Sequence, residues 1–409
     1  MESIQSEQLL ILICCIIVIS YLFSIASRWI RIPSVLLLLL AGMGTRSLAT
    51  YYGFEIEFPA LLIESLGVVG LIMIVLEAGL DLELKQSKIK LIRDSFLSAL
   101  FIFLLSTSML SFILYNWLQQ PLVNCIIYAI PLSIMSSSIV LPSLHALTPA
   151  KKEFLVYEAS FSDILGIMVF NYFTAGEILS PLSMGLFAGN LVLSIILSVV
   201  MSLMLIFIMT RTALTIKFFL IFALLVLIYA GGKLLHLPSL IIILAFGLMI
   251  NNWHLLKFDW IKKHFPQEQV NGLGHLLHSI TAESSFLVRT FFFILFGYSI
   301  VFSTILEDEV MKVGGLIVLA LFVVRFLYMR FFLKTNVFPE VFFIPRGLIT
   351  IVLFYKIPQQ YRLSNFNEGI LFFIILVSSA IMAIGMLFYK KKPAEMVEEP
   401  QFSERSDLF

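Results

Sequence analysis

Charge is scarce in this sequence. Lys, Arg, Asp and Glu make up 13% of its 409 residues, about half the share of a soluble domain. That shortage excludes an ordinary water-soluble enzyme and a disordered chain. The net charge of +1 leaves no basic surplus to attract nucleic acid. Cysteine is rare too: Cys14, Cys15 and Cys125 all lie in apolar stretches, so neither a disulfide framework nor a zinc site is indicated. No His-Glu-x-x-His cluster and no convincing nucleophile–base pair occurs within the apolar stretches, which counts against an enzyme. The opening Met-Glu-Ser-Ile-Gln-Ser-Glu lacks the basic n-region of a cleaved signal peptide.

Apolar sequence is what the chain has in abundance: 60% of residues are hydrophobic and the mean hydropathy is +1.01. A helix crosses the hydrocarbon core in about 20 predominantly apolar residues. Thirteen such stretches are expected, at about 8–27, 33–48, 61–80, 95–118, 122–147, 154–174, 182–209, 218–235, 238–252, 280–302, 313–333, 339–356 and 367–389. The fold class is therefore an all-α polytopic membrane protein in a lipid bilayer.

Basic residues orient the spans, because Lys and Arg concentrate in cytoplasmic connections. With the N-terminus outside, the inner connections hold Arg28 and Arg31; Lys85, Lys88, Lys90 and Arg93; Lys151 and Lys152; Arg211 and Lys217; Lys257, Lys262 and Lys263; Arg330 and Lys334; and Lys390, Lys391 and Lys392. The outer connections hold Arg46, Lys233, Lys312, Lys356 and Arg362. This predicts a multi-pass protein of the cell (plasma or inner) membrane with its N-terminus outside and its C-terminus cytoplasmic. Residues 1–389 form the membrane domain, and 390–409 a short cytoplasmic tail, polar and expected to be disordered.

An internal repeat is visible. Ile32-Pro33-Ser34-Val35-Leu36 opens the second span and Leu237-Pro238-Ser239-Leu240-Ile241 opens the ninth, and each span runs on to a Gly-Met or Gly-Leu-Met. An offset of seven spans reverses direction across the membrane, as in inverted-topology transporters. A Pro-Ser pair marking a helix start is the plainer alternative. The reading gives repeat one at about 8–174, a linker helix at 182–209 and repeat two at about 218–389. At the same offset, the fifth span contains Ser136-Ser137-Ser138 and Pro142, and the twelfth contains Pro345-Arg346-Gly347. Such residues loosen or break helices, predicting two crossing discontinuous helices. Two ordinary proline kinks are the alternative.

Ionisable residues inside a membrane are costly and mark function by default. Six stand out: Glu77, Glu158, Asp163, Arg289, Arg325 and Arg346. Glu158 and Asp163 are five residues apart, about 140° around a helix, so they face different neighbours. Glu158 needs a cation; Arg325 suits by depth, with Arg346 as rival, and the pair reads as a structural tie between helices. No base is assigned to Asp163. Such a carboxylate can hold a proton or a bare cation in competition, with Ser136, Ser137 and unwound carbonyls of the fifth span supplying further oxygens. Glu77 lies at a cytoplasmic cavity mouth or at the interface, and Arg289 has no partner evident in the sequence. The long loop expected at 253–279 carries His254, His264, His275 and His278, either a pH sensor or incidental solvated residues.

At these residues the chain resembles the monovalent cation/proton antiporter superfamily, nearest its sodium/proton exchanger branch, over about residues 8–389. Glu158-Ala159-Ser160-Phe161-Ser162-Asp163 keeps the spacing of that branch's Glu-Ser-x-x-Asn-Asp. Leu76-Glu77-Ala78-Gly79 resembles its Phe-Glu-Gly, and Pro345-Arg346-Gly347-Leu348 its Leu-Arg-Gly-Ala. The resemblance implies a core bundle and a dimerisation bundle, a homodimer, and Na⁺ binding at Asp163 with Ser136, Ser137, Ser162 and Glu77 nearby. It also implies a Glu158–Arg325 pair, with site support from Ser138, Pro142, Arg346 and Gly347. Three departures stand out: Ser136-Ser137-Ser138 replaces the usual Thr-Asp-Pro, Ser162 replaces Asn, and Ala159 replaces Ser. The expected function is exchange of Na⁺ (or K⁺ or Li⁺) for H⁺ by alternating access, electroneutral at 1:1, with no cofactor. The alternatives are an organic-anion carrier of the same fold, using Arg289 or Arg346 as counter-charge, and an ion channel.

Overall fold

The computed structural model describes residues 6–30, 32–53, 60–174, 181–211, 218–234, 239–255, 267–333, 338–363 and 366–389. Every regular element among them is helical. In chain order these are α1 (Ser6–Ile30), α2 (Ser34–Tyr51), α3 (Ala60–Asp81), α4 (Ile89–Leu118), α5 (Leu122–Ser133), the short α6 (Ser137–Val140), α7 (Pro149–Thr174), α8 (Pro181–Arg211), α9 (Phe218–Leu234), α10 (Ser239–Asn251), α11 (Gln267–Ser299), the short α12 (Phe302–Ile305), α13 (Asp308–Tyr328), α14 (Leu348–Tyr355) and α15 (Gly369–Phe388). Each of the thirteen expected spans falls on one of these helices or on a broken pair. Six of the described stretches are long and apolar enough by themselves to cross a membrane. The expected tail at 390–409 lies outside the described residues, as do Leu237 and Pro238 of the repeat motif.

The helices sort into two bundles. In one, α2 packs on α11, α3 on both α10 and α11, and α8 and α9 on α10. In the other, α4 packs on α5, α7 and α13, and α13 on α15. The half-helix α14 touches α3 of the first bundle and α5 and α7 of the second.

The packing repeats at the seven-span offset read from the sequence. The second and tenth spans (α2, α11) exchange with the ninth and third (α10, α3). Both pairs are drawn together at glycines. A Cβ on Gly42 of α2 would lie 2.3 Å from the Ile294 carbonyl of α11, and one on Gly79 of α3 would lie 2.7 Å from the Leu244 carbonyl of α10. Small residues at such crossings let helix backbones meet where the membrane offers no hydrophobic drive. The contact of the fourth span with the sixth (α4, α7) likewise maps onto that of the eleventh with the thirteenth (α13, α15).

Two expectations need correction. Residues 253–279 are not one long loop: α11 begins at Gln267, so His275 and His278 are helical. Their polar and glycine-rich turns hid a helix whose Val270 and Leu277, seven residues apart, are buried. His264 lies outside the described residues. Of the residues expected to break the fifth span, Ser136 lies in the break and Pro142 does not. The chain is extended at residues 134–136, three residues after Pro131, and Pro142 lies in a tight 3₁₀ turn at Leu141–Ala146.

Candidate functional site

The two breaks lie against each other. Residues 134–136 and 343–347 are both extended, and the Ser136 N–H donates to the Pro345 carbonyl at 3.0 Å. Non-helical backbone at membrane depth is tolerated only where protein satisfies its polar groups, and here the repeat supplies matching partners. The Met135 N–H donates to Ser162 Oγ of α7 at 2.9 Å. The Arg346 N–H donates to Ser378 Oγ of α15 at 3.1 Å. α7 and α15 are the sixth and thirteenth spans, so the two serines play equivalent parts in the two halves.

Gly347 permits this approach, since a Cβ there would stand 2.5 Å from Ser136 Oγ. Ser136 Oγ is hydrogen-bonded to Ser138 Oγ at 2.8 Å. Arg346, 2% exposed, was the rival partner for Glu158, but its guanidinium is taken up by carbonyls. It donates to Leu132 (2.6 Å) and Ser133 (3.3 Å), at the C-terminal end of α5, and to Ile344 (2.8 Å). A cation suits a helix C-terminus, where carbonyls lack intrahelical partners.

Glu158 is fully buried and held on three sides. Arg325 of α13 grips both oxygens, with Nη2 to Oε2 at 2.8 Å and Nη1 to Oε1 at 3.2 Å, and Ser98 of α4 donates to Oε1 at 2.5 Å. Arg325 Nε also donates to the Glu340 carbonyl at 2.7 Å. Sequence depth pointed to this pair. Ser98 was missed because a lone serine in an apolar helix gives no signal of its partner.

Glu77 is paired with Arg289, Oε2 to Nη1 at 3.2 Å, across α3 and α11. This gives Arg289 the partner that sequence could not name.

Asp163 has no such partner. It is 4% exposed. Its Oδ2 accepts the Ser137 N–H at 3.4 Å, and its Oδ1 is buried with no hydrogen-bond partner among the described residues. Ser137 Oγ is equally unpartnered. Asp163 borders a small cavity between α7 on one side and α3 and α10 on the other, walled by Ile74, Val75, Ala78, Ile164, Ile167, Leu240 and Leu244, with Ser160 as the second polar lining residue. Room for the centre of a water-sized sphere is about 20 Å³, enough for one water or a bare ion. Ser136, Ser138 and Pro142 do not line it, nor does Glu77. The group chemistry is a carboxylate oxygen with spare lone pairs buried beside an apolar chamber, suited to a proton or a hard cation.

Comparison with known proteins bears on the fold and the family. No curated protein matches the sequence. Among solved structures the chain is similar to the sodium proton antiporter MjNhaP1 from Methanocaldococcus jannaschii. The structure of that protein at pH 8 aligns with a TM-score of 0.67 at 18% identity, covering 93% of this chain and 100% of the other. An electron-microscopy structure of it aligns with a TM-score of 0.66 at 18% identity, covering 95% and 100%. These likenesses show a shared fold. A family model described as "Sodium/hydrogen exchanger, transmembrane" matches residues 14–389, nearly the whole described chain, and the protein belongs to the sodium/hydrogen exchanger family.

Proposed function

We propose that Asp163 is the carboxylate at which Na⁺ and H⁺ compete as this secondary transporter exchanges one for the other by alternating access. One observation carries the reading. Of the three deeply placed acids, Glu158 and Glu77 each face an arginine, whereas Asp163 keeps an oxygen without any partner beside a cavity large enough for an ion. A buried charge is tolerated only when compensated, so Asp163 requires a proton or a cation at every stage of the cycle in which it stays enclosed. K⁺ or Li⁺ satisfies the same chemistry.

Ser137 is assigned as a neutral oxygen donor near the carboxylate, and Ser136, Ser138, Pro142, Arg346 and Gly347 as the frame of the crossing. Ser162 is assigned to holding the first break, through Met135. Glu77 is assigned to holding α3 beside the site rather than to the ion, because Ile74, Val75 and Ala78 of the same helix line the cavity while its own carboxylate is engaged by Arg289. Both arginines that an organic anion would need are already occupied, Arg289 by Glu77 and Arg346 by three carbonyls. The repeats are assigned as 8–174 and 218–389, joined by linker helix 182–209, each contributing helices to both bundles. Family membership supports a homodimer in the cell membrane, and the lysine and arginine distribution supports an outside N-terminus.

The test uses everted vesicles with an acid interior and a pH-sensitive dye. Adding Na⁺, K⁺ or Li⁺ to the wild-type protein is expected to release protons with at least one of them. Asp163→Asn is expected to abolish the response to all three. Full activity in that variant would overturn the assignment.

A further inference from the structure

We infer that Ser160 is a cation ligand of the exchange site and sets its affinity for Na⁺. This rests on the reading that the cation binds at Asp163.

Three observations carry it. First, Ser160 lies three residues before Asp163 on α7, so the two side chains share a helix face, and they are the two polar groups among the nine residues lining the cavity. Second, Ser160 is 1% exposed, and its Oγ has no hydrogen-bond partner among the described residues. Buried serines elsewhere in the membrane helices discharge this need onto their own backbone: Ser111 donates to the Thr107 carbonyl, Ser133 to Ala129 and Ser143 to Ile139. Ser160 does not, and its hydroxyl keeps its hydrogen-bonding capacity unspent one helical turn from Asp163. Other buried hydroxyls also lack a partner, Ser106 and Ser202 among them, but they do not line this chamber. Third, the neighbouring Ser162 is committed to the Met135 amide and Ser136 to Ser138, so these expected donors are already engaged while Ser160 is not.

The chemistry separates the two transported ions. A proton needs one lone pair, which Asp163 supplies alone. A dehydrated Na⁺ needs several oxygens at once. A neutral hydroxyl beside the carboxylate therefore strengthens cation binding and leaves proton binding nearly unchanged. Ser160 thus acts on the competition between the ions rather than on the fold.

The experiment measures Na⁺-driven proton movement in proteoliposomes of the full chain as a function of Na⁺ and pH. Ser160→Ala is expected to raise KM for Na⁺ about tenfold, with the maximal rate near wild type and the proton dependence extrapolated to low Na⁺ unmoved. Ser160→Cys keeps the volume but offers a thiol, a poor ligand for a hard cation, and is expected to behave like Ser160→Ala. Ser160→Thr keeps the hydroxyl and is expected to restore KM. A wild-type KM in both Ser160→Ala and Ser160→Cys, with Asp163→Asn inactive, would overturn the role of Ser160 while leaving the site in place. Restoration by Cys as fully as by Thr would mean that volume, not oxygen, matters, and would overturn it equally. An active Asp163→Asn would sink both the site and this inference.

Discussion

Three carboxylates set within the helices, Glu158 and Asp163 buried and Glu77 partly exposed, meet three different environments, and the difference is a matter of single side chains. Glu158 is neutralised by Arg325 and capped by Ser98, Glu77 is matched by Arg289, and Asp163 is left open. The Glu158–Arg325 pair is enclosed on both sides, so removing one partner strands a charge. Arg325→Ala is expected to destabilise the protein by about 3–5 kcal/mol, seen as a lower melting temperature in detergent. Replacing both residues together by apolar ones of similar volume is expected to recover most of the loss. An unchanged melting temperature for the single variant would contradict this account. The Glu158–Arg325 pair could be read from depth along two spans, because both residues lie near the same membrane face. The Glu77–Arg289 pair could not. It depends on the register of α3 against α11, set by packing between segments far apart in the chain, and no short-range pattern encodes that register.

At the scale of elements, the broken helices decide where the site can form. Sequence located the second break well, since Pro345-Arg346-Gly347 falls within the extended stretch 343–347. It marked the first at Ser136-Ser137-Ser138 and Pro142; Ser136 does fall in the unwound stretch 134–136, whereas Pro142 lies in a 3₁₀ turn beyond it. The reason is tertiary: residues 134–136 are held open by Pro345, Ser162 and the opposing strand, all remote in sequence. The serines Ser162 and Ser378, which satisfy the freed amides, carry no local mark of that duty. Gly347 is where the two breaks come closest. Gly347→Ala would bring a methyl to 2.5 Å from Ser136 Oγ and 2.8 Å from Ile139 Cδ1, closer than atoms tolerate. Displacing either side is expected to cost about 1–3 kcal/mol and, by shifting Ser136 and Ser137, to lower exchange more than it lowers thermal stability. Parallel melting curves and vesicle transport assays check this. Wild-type transport in Gly347→Ala would mean that the crossing has slack the structure does not display.

The whole molecule adds direction and charge. The seven-span offset was legible in one short motif pair, and the packing of α2 on α11 against that of α10 on α3, and of α4 on α7 against that of α13 on α15, extends it to contacts between helices. Hydropathy could not show that the cavity of Asp163 sits on the seam between two bundles, with α7 on one side and α3 and α10 on the other. Polar contacts bridge this seam, the Tyr157 hydroxyl donating to the Glu83 carbonyl and Lys356 Nζ to the Tyr229 hydroxyl. Alternating access requires the bundle holding α7 to shift along that seam, breaking such contacts in turn. It carries Glu158, Arg325, Asp163 and Arg346 with it, two acids and two bases. A proton or a Na⁺ on Asp163 changes that sum by the same single charge, so the outward and return strokes move equal charge and the cycle moves none. Exchange is therefore expected to run at the same rate in proteoliposomes clamped at positive, zero or negative potential with K⁺ and valinomycin, once K⁺ itself is shown not to be exchanged. No steady current is expected on a supported membrane under a Na⁺ gradient. A sustained current that reverses with the imposed voltage would require a second proton, and a second titrating group that moves with α7.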